Sequence, residues 1–338
     1  MKRLHAKWLL PLLAAAYVVT GCDTAGVQED DNTSQERPFR ATSRIGGNDT
    51  RATVDSDALT FKWEKKDGEA HLVYKDGEQT SYTFTIDQNT ISDDGHQADF
   101  WAEAGFGAEA GTWLLAAIPT TGYTAAADGS YTFTMPTGDA VQTGNNSTEH
   151  VGLRMPMYAR AQATAEHTAS FSFKHLGSLL RFRVKNLNSG AETITGIGVE
   201  AENGRGVFGH SVTLTADGVS VTATYADEGD SRIGVTLSAC TVASGEILTA
   251  YTATLPGASF ADGTVLKVVL TTDSGSYVSD RFTITTDSGL SLTDGKWTPG
   301  KFYTLNLTLD NELRFEGVSH DSFTETDNDI EWEELAEN

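Results

Sequence analysis

Phe302-Tyr-Thr-Leu-Asn-Leu-Thr-Leu309 places a large apolar residue at 303, 305, 307 and 309, with a polar residue between each pair. Successive side chains of a strand point to opposite faces, so a period of two gives a strand with one face on a core and one in water. The same pattern runs outward from this stretch in both directions. It recurs in Leu179-Leu-Arg-Phe-Arg-Val184, Ser130-Tyr-Thr-Phe-Thr-Met135, Ser81-Tyr-Thr-Phe-Thr-Ile86, Val219-Ser-Val-Thr-Ala-Thr224 and Val265-Leu-Lys-Val-Val-Leu270. Threonine fills many outward positions, where a β-branched side chain suits a pleated, half-buried surface. Between these runs stand Asp-Gly pairs at 76–77, 94–95, 128–129, 217–218, 262–263 and 294–295, the chemistry of hairpin turns. No long segment has a 3.6-residue period. The expected fold class is all-β, in antiparallel sandwiches.

The amino terminus has a different grammar. Lys2, Arg3 and Lys7 precede a short apolar run from Trp8 to Val19, interrupted by Pro11. Such a run is too short for the about 20 residues that a hydrocarbon core demands, and it reads as a secretory signal. It ends in Val19-Thr20-Gly21-Cys22, which looks like the lipobox of bacterial lipoproteins. Cleavage between Gly21 and Cys22 would leave Cys22 at the amino terminus with lipid on its thiol, and several acyl chains there would anchor the protein stably. Residues 1–21 are thus read as signal peptide. The polar, acidic stretch Asp23 to Glu36 reads as a tether.

Loss of Lys2, Arg3 and Lys7 with the signal takes the formal charge from -23 to -26. A chain this acidic is repelled by nucleic acid and by anionic lipid surfaces. The second cysteine, Cys240, lies in a strand-like apolar run and has no partner in the chain; it reads as a buried thiol. No catalytic constellation emerges. Gly289 to Lys296 has the wrong spacing for a phosphate loop and ends on Trp297 instead of a hydroxyl residue. Asp273-Ser-Gly275 and Asp287-Ser-Gly289 resemble serine-hydrolase fragments but sit between strand-like runs, as turns do. Scattered histidines and acidic clusters lack the ligand spacing of zinc or calcium sites. The expectation is no enzyme, no cofactor and no metal.

A small, polar stretch from Ala161 to His167 suggests a domain boundary, giving one unit at 51–165 and a second at 166–310. Residues 310–338 hold eleven acids against Arg314, so 311–338 reads as a solvated acidic tail.

Taken together, the strands resemble those of the fimbrillin family, the lipoprotein subunits of surface fimbriae in Bacteroidales. The resemblance runs from Cys22 to about Leu309. It rests on Phe61-Lys-Trp-Glu-Lys-Lys-Asp-Gly68, on Trp113-Leu-Leu-Ala-Ala-Ile-Pro119, and on Phe173-Lys-His-Leu-Gly-Ser-Leu-Leu-Arg-Phe-Arg-Val184. Trp297-Thr-Pro-Gly-Lys-Phe-Tyr-Thr-Leu-Asn-Leu307 closes the series. The resemblance implies two transthyretin-like β-sandwich domains and a removable first strand within residues 22–50. It also implies cleavage after an arginine, with Arg51 the better match and Arg44 the second, and assembly with other fimbrial subunits by strand complementation. The implied location is the outer membrane, lipid-anchored and surface-exposed in a fimbrium, with a host or glycan ligand. The rival reading is a lipid-anchored glycan-binding protein of a polysaccharide uptake system. For that reading Trp63, Trp101 and Trp113 are the candidate sugar platform, although two of the three lie in runs that suit a core.

Overall fold

A computed structural model describes residues 38–44, 53–54, 61–63, 69–238, 240–260, 263–285 and 289–322. Among them the regular structure is strand with three short 3-10 turns and no α-helix, as the two-residue period requires.

Eight strands form the first sheet. They are β1 (Arg40–Arg44), β2 (Ala70–Lys75), β3 (Ser81–Asp87), β4 (Gln97–Ala102), β5 (Trp113–Ile118), β6 (Met157–Gln162), β7 (Thr168–Ser172) and β8 (Lys174–His175). Their order across the sheet is β7-β1-β4-β3-β2-β5-β6-β8. All pairs are antiparallel except β1 with β7. Strands β6 and β7 also touch, so the sheet curls around a core of its own that includes Val73, Phe84, Phe100, Leu114, Met157 and Phe171. The β2–β3 connection turns on Asp76-Gly77, where Gly77 has φ +74°, a conformation that costs glycine little and other residues more.

Three further sheets and two short two-stranded ladders make up the rest of the described strands. A seven-stranded sheet centres on Glu192–Ala201 between Arg232–Ser238 and Thr264–Thr272. A six-stranded sheet holds Ile247–Pro256, Ser178–Asn186, Lys301–Leu309 and Leu313–Ser322 side by side. Phe182, Val184 and Leu305 of the latter share a core with Ile197, Val199 and Leu266 of the former. A four-stranded sheet that includes Ser130–Thr134 and Ser211–Asp217 supplies Tyr131, Phe133 and Leu214 to another core, with Tyr74 and Leu115 from the first sheet.

Three details depart from expectation. Thr304 and Asn306, the polar positions of the opening stretch, are 2% exposed. The six-stranded sheet is covered on its second face as well, where Phe302, Leu179 and Tyr251 join that third core, and Arg181 Nε donates to Thr304 Oγ1 at 3.0 Å. The connector at 161–167 is not a clean cut in the strand pairing, because β7 and β8 return to the first sheet. Finally, Leu313–Ser322 is a ten-residue strand on Lys301–Leu309, not part of a solvated tail. Its apolar residues explain this. Leu313 is buried, and Phe315 stacks on Phe282 with ring centroids 3.8 Å apart. Within the strand Glu316 accepts from Thr308 Oγ1 at 2.6 Å, and Arg314 pairs with Glu312 just before it. Residues 323–338 lie outside the described residues.

Candidate functional site

Strand β1 is short and has no large apolar side chain of its own, yet it occupies an interior position of the first sheet. Arg40-Ala-Thr-Ser-Arg44 pairs along its full length on both sides, parallel to Thr168–Ser172 and antiparallel to Gln97–Trp101. Its alternation decides which groups go inward: Ala41 and Ser43 are fully buried, and Phe39, just before the strand, is 2% exposed. Phe39 meets Phe84 and Phe106 edge-on, at 5.9 and 5.0 Å between ring centroids.

The outer face of β1 is tied by polar contacts. Thr42 Oγ1 donates to Asp99 Oδ1 at 2.7 Å, and Arg44 Nε donates to Gln97 Oε1 at 2.9 Å. Arg40 Nη1 stands 3.6 Å from Asp99 Oδ2, and its guanidinium lies 6.0 Å from the Trp101 ring. Exposed ion pairs of this sort contribute about 0–1 kcal/mol. Most of what holds β1 is therefore its backbone ladder and the burial of Phe39 and Ala41.

Beneath the sheet, His71 is wholly buried. Its ring lies 5.6 Å from Phe84, 4.4 Å from Phe100, 5.7 Å from Phe171 and 5.5 Å from Phe173. Neither ring nitrogen has a hydrogen-bond partner, and Ser43 Oγ and Trp63 Nε1 are also buried without one. Burial lowers the His71 pKa to about 3, because a charged imidazolium cannot be solvated among phenyl rings. A buried polar atom left without a partner costs about 1–3 kcal/mol. The core behind β1 is thus apolar in shape and imperfectly satisfied in its polar atoms. An extended segment with small inward side chains fits the slot between β4 and β7, and without such a segment both of these strands would present open edges.

Of the site residues named from sequence, Arg44 closes β1 and is exposed. Gly21, Cys22 and Arg51 lie outside the described residues. The tryptophans separate. Trp63 is core, edge-on to Phe100 and Phe173; Trp113 is half-buried under the Arg160 guanidinium, 5.2 Å away. Trp101 is 39% exposed, its Nε1 donating to Asp87 Oδ2 at 3.3 Å. Cys240 is buried, and burial raises its thiol pKa. The 289–297 segment contains a small hairpin, Leu292–Thr293 with Lys296–Trp297, and Lys296 pairs with Asp227 at 3.0 Å. Ser274 lies in a turn, its backbone N–H donating to Thr272 Oγ1 at 3.2 Å. Among the described residues no three metal-ligating side chains converge. Sequence reasoning missed the His71 cage, since its five residues come from four separate strand-like runs and no local spacing joins them.

The family model for fimbrillin-like proteins matches residues 114–324, more than half of the chain. The chain belongs to the fimbrillin-like family. The match starts later than the resemblance read from sequence and runs past Leu309 to include the Leu313–Ser322 strand. Among solved structures, a candidate cell adhesion protein from Bacteroides ovatus is similar, at 14% identity and TM-score 0.50, over 86% of this chain and 99% of that one. The tip fimbrial protein of Porphyromonas gingivalis, truncated at its carboxy terminus, aligns at 9% identity and TM-score 0.36, over 85% of this chain and 100% of its own. The fimbrial anchor protein of the same organism aligns at 9% identity and TM-score 0.31, over 85% and 98%. No curated protein matches the sequence.

Proposed function

We propose that this fimbrillin-like chain is a non-catalytic, lipid-anchored surface subunit of a fimbrium, and that it joins other subunits by exchanging strand β1. The observation that carries the reading is the place of β1: five residues, hydrogen-bonded on both flanks, with only Ala41 and Ser43 of the strand itself facing the core. Cleavage after Arg44 would end at the last residue of β1, and cleavage after Arg51 would release the whole strand with its tether. Either cut would leave a slot lined by β4, β7 and the His71 cage. A strand from another subunit could refill it, backbone hydrogen bonds supplying affinity and alternate side chains supplying register. Cys22 would carry the acyl chains that hold the unprocessed protein at the outer membrane.

The deciding experiment is the amino terminus and assembly state of the protein from intact cells, by peptide mass spectrometry and non-denaturing electrophoresis. A start at Ala52 or Ile45 together with a ladder of multimers is the expected result. An acylated Cys22 on a monomer would sink assembly by strand exchange.

A further inference from the structure

A second feature lies apart from β1, in the short segment joining the four-stranded sheet to the seven-stranded one. Residues 134–139 leave strand Ser130–Thr134 and pass to Ala140–Thr143. With Phe208–Gly209, His210 and the start of strand Arg232–Ser238 they enclose a cleft of about 480 Å³. That is within the about 300–1,000 Å³ usual for small-molecule sites.

The cleft is built and not merely open. Arg154 reaches in and its Nη1 donates to the carbonyl oxygens of Pro136, at 3.3 Å, and Gly138, at 2.7 Å. Arg232 makes a two-pronged contact with Asp139, 2.9 Å on each arm, which fixes the far end of the segment and cancels both charges. The backbone N–H of Met135 donates to the His210 carbonyl at 2.7 Å. These contacts hold the walls and leave other groups over: the Nε and Nη2 of Arg154, the His210 ring, the Asp230 carboxylate and the Thr137 hydroxyl. The lining therefore offers both donors and acceptors together with the apolar side chains of Met135, Pro136 and Ile233.

We propose that this cleft binds a short neutral oligosaccharide. Vicinal sugar hydroxyls donate and accept together, which suits a lining that holds a guanidinium, a carboxylate and an imidazole, while the C–H face of a pyranose suits the Met135 and Pro136 side chains. An anionic sugar fits worse, because the charges lining the cleft balance, Arg154 and Arg232 against Asp139 and Asp230, while the chain as a whole carries a net -23. The inference deepens the reading of a surface subunit by giving it a receptor class, yet it does not depend on strand exchange.

The test is a printed array of neutral and sialylated oligosaccharides, probed with the fluorescently labelled full-length protein. Neutral glycans of two to four residues should bind. Thr137→Trp, on an exposed loop position that fills the mouth, should weaken that binding at least tenfold with no change in melting temperature, as should His210→Ala. Trp101→Ala should leave it unchanged. Binding to no glycan, binding confined to sialylated glycans, or loss in Trp101→Ala and not in Thr137→Trp would each overturn the assignment. A protein that forms multimers but binds no glycan would sink this inference alone. One that binds glycans as a monomer would sink only strand exchange.

Discussion

Replacing His71 by Phe should abolish a component of the protein's acid sensitivity. The unfolded imidazole takes a proton near pH 6.5, whereas the folded one, shut in by Phe84, Phe100, Phe171 and Phe173, takes it only near 3. The unfolded state thus binds more protons between these values, and stability rises with pH across that window. The protonation-linked cost of His71 vanishes above about pH 7 and grows as pH falls through 6.5. With one pKa unit equal to about 1.36 kcal/mol, the loss at pH 5 relative to pH 8 comes to about 2 kcal/mol, and it levels off below pH 3 near 5 kcal/mol. Against a total stability of about 5–15 kcal/mol this is a large share. Urea unfolding of the wild type and His71→Phe at pH 8 and pH 5 gives the difference directly. The larger Phe ring can shift absolute stability by about 1–3 kcal/mol through overpacking, but that shift is the same at both pH values. Other histidines titrate alike in both proteins and cancel. Equal pH dependence in the two proteins would refute the buried, neutral histidine.

Two further outcomes follow from burial. Phe315→Ala removes the ring stacked on Phe282 and should cost about 2–3 kcal/mol from lost apolar burial and the aromatic pair; hydrogen exchange should rise first in Leu313–Ser322, and unchanged protection there would contradict the packing. In a Cys22→Ser background, Cys240 should resist a thiol reagent at pH 8 in the folded protein and react as one equivalent in urea, so a thiol that reacts at once in the native protein would overturn its burial.

How much of this was legible in the sequence depends on the range over which each feature is determined. The strands at Ser81, Ser130 and Lys301 were plain, because a period of two is local and Asp-Gly turns are local. Thr304 and Asn306 carried the same outward signal as Thr83 or Thr132, but the six-stranded sheet has a second cover, and no residue near 304 announces that. The Leu313–Ser322 strand was hidden by its charge. Eleven acids across 310–338 outweigh Leu313 and Phe315 in any compositional reading, and the partners that offset two of those acids, Thr308 and Arg314, show only once the strand is paired.

The candidate site was legible in a different sense. Sequence resemblance pointed to a first strand ending near Arg44 or Arg51, but composition gave no reason for that strand to be exchangeable. Arg-Ala-Thr-Ser-Arg is a weak strand by itself, and its inner residues are the smallest that can fill a core position. What the fold adds is the context. β1 is clasped between β4 and β7, so it is well hydrogen-bonded, and it closes a core in which His71, Trp63 and Ser43 have polar atoms without partners. A segment with a complete ladder but a modest, imperfectly satisfied core contact is held in register by its backbone more than by its own side chains. Backbone pairing is indifferent to sequence, so a foreign strand with small inward residues can reproduce it, and one that packs the His71 cage better can exceed it. Under the proposed assembly that asymmetry would give exchange a direction, and it arises only where chain segments distant in sequence meet.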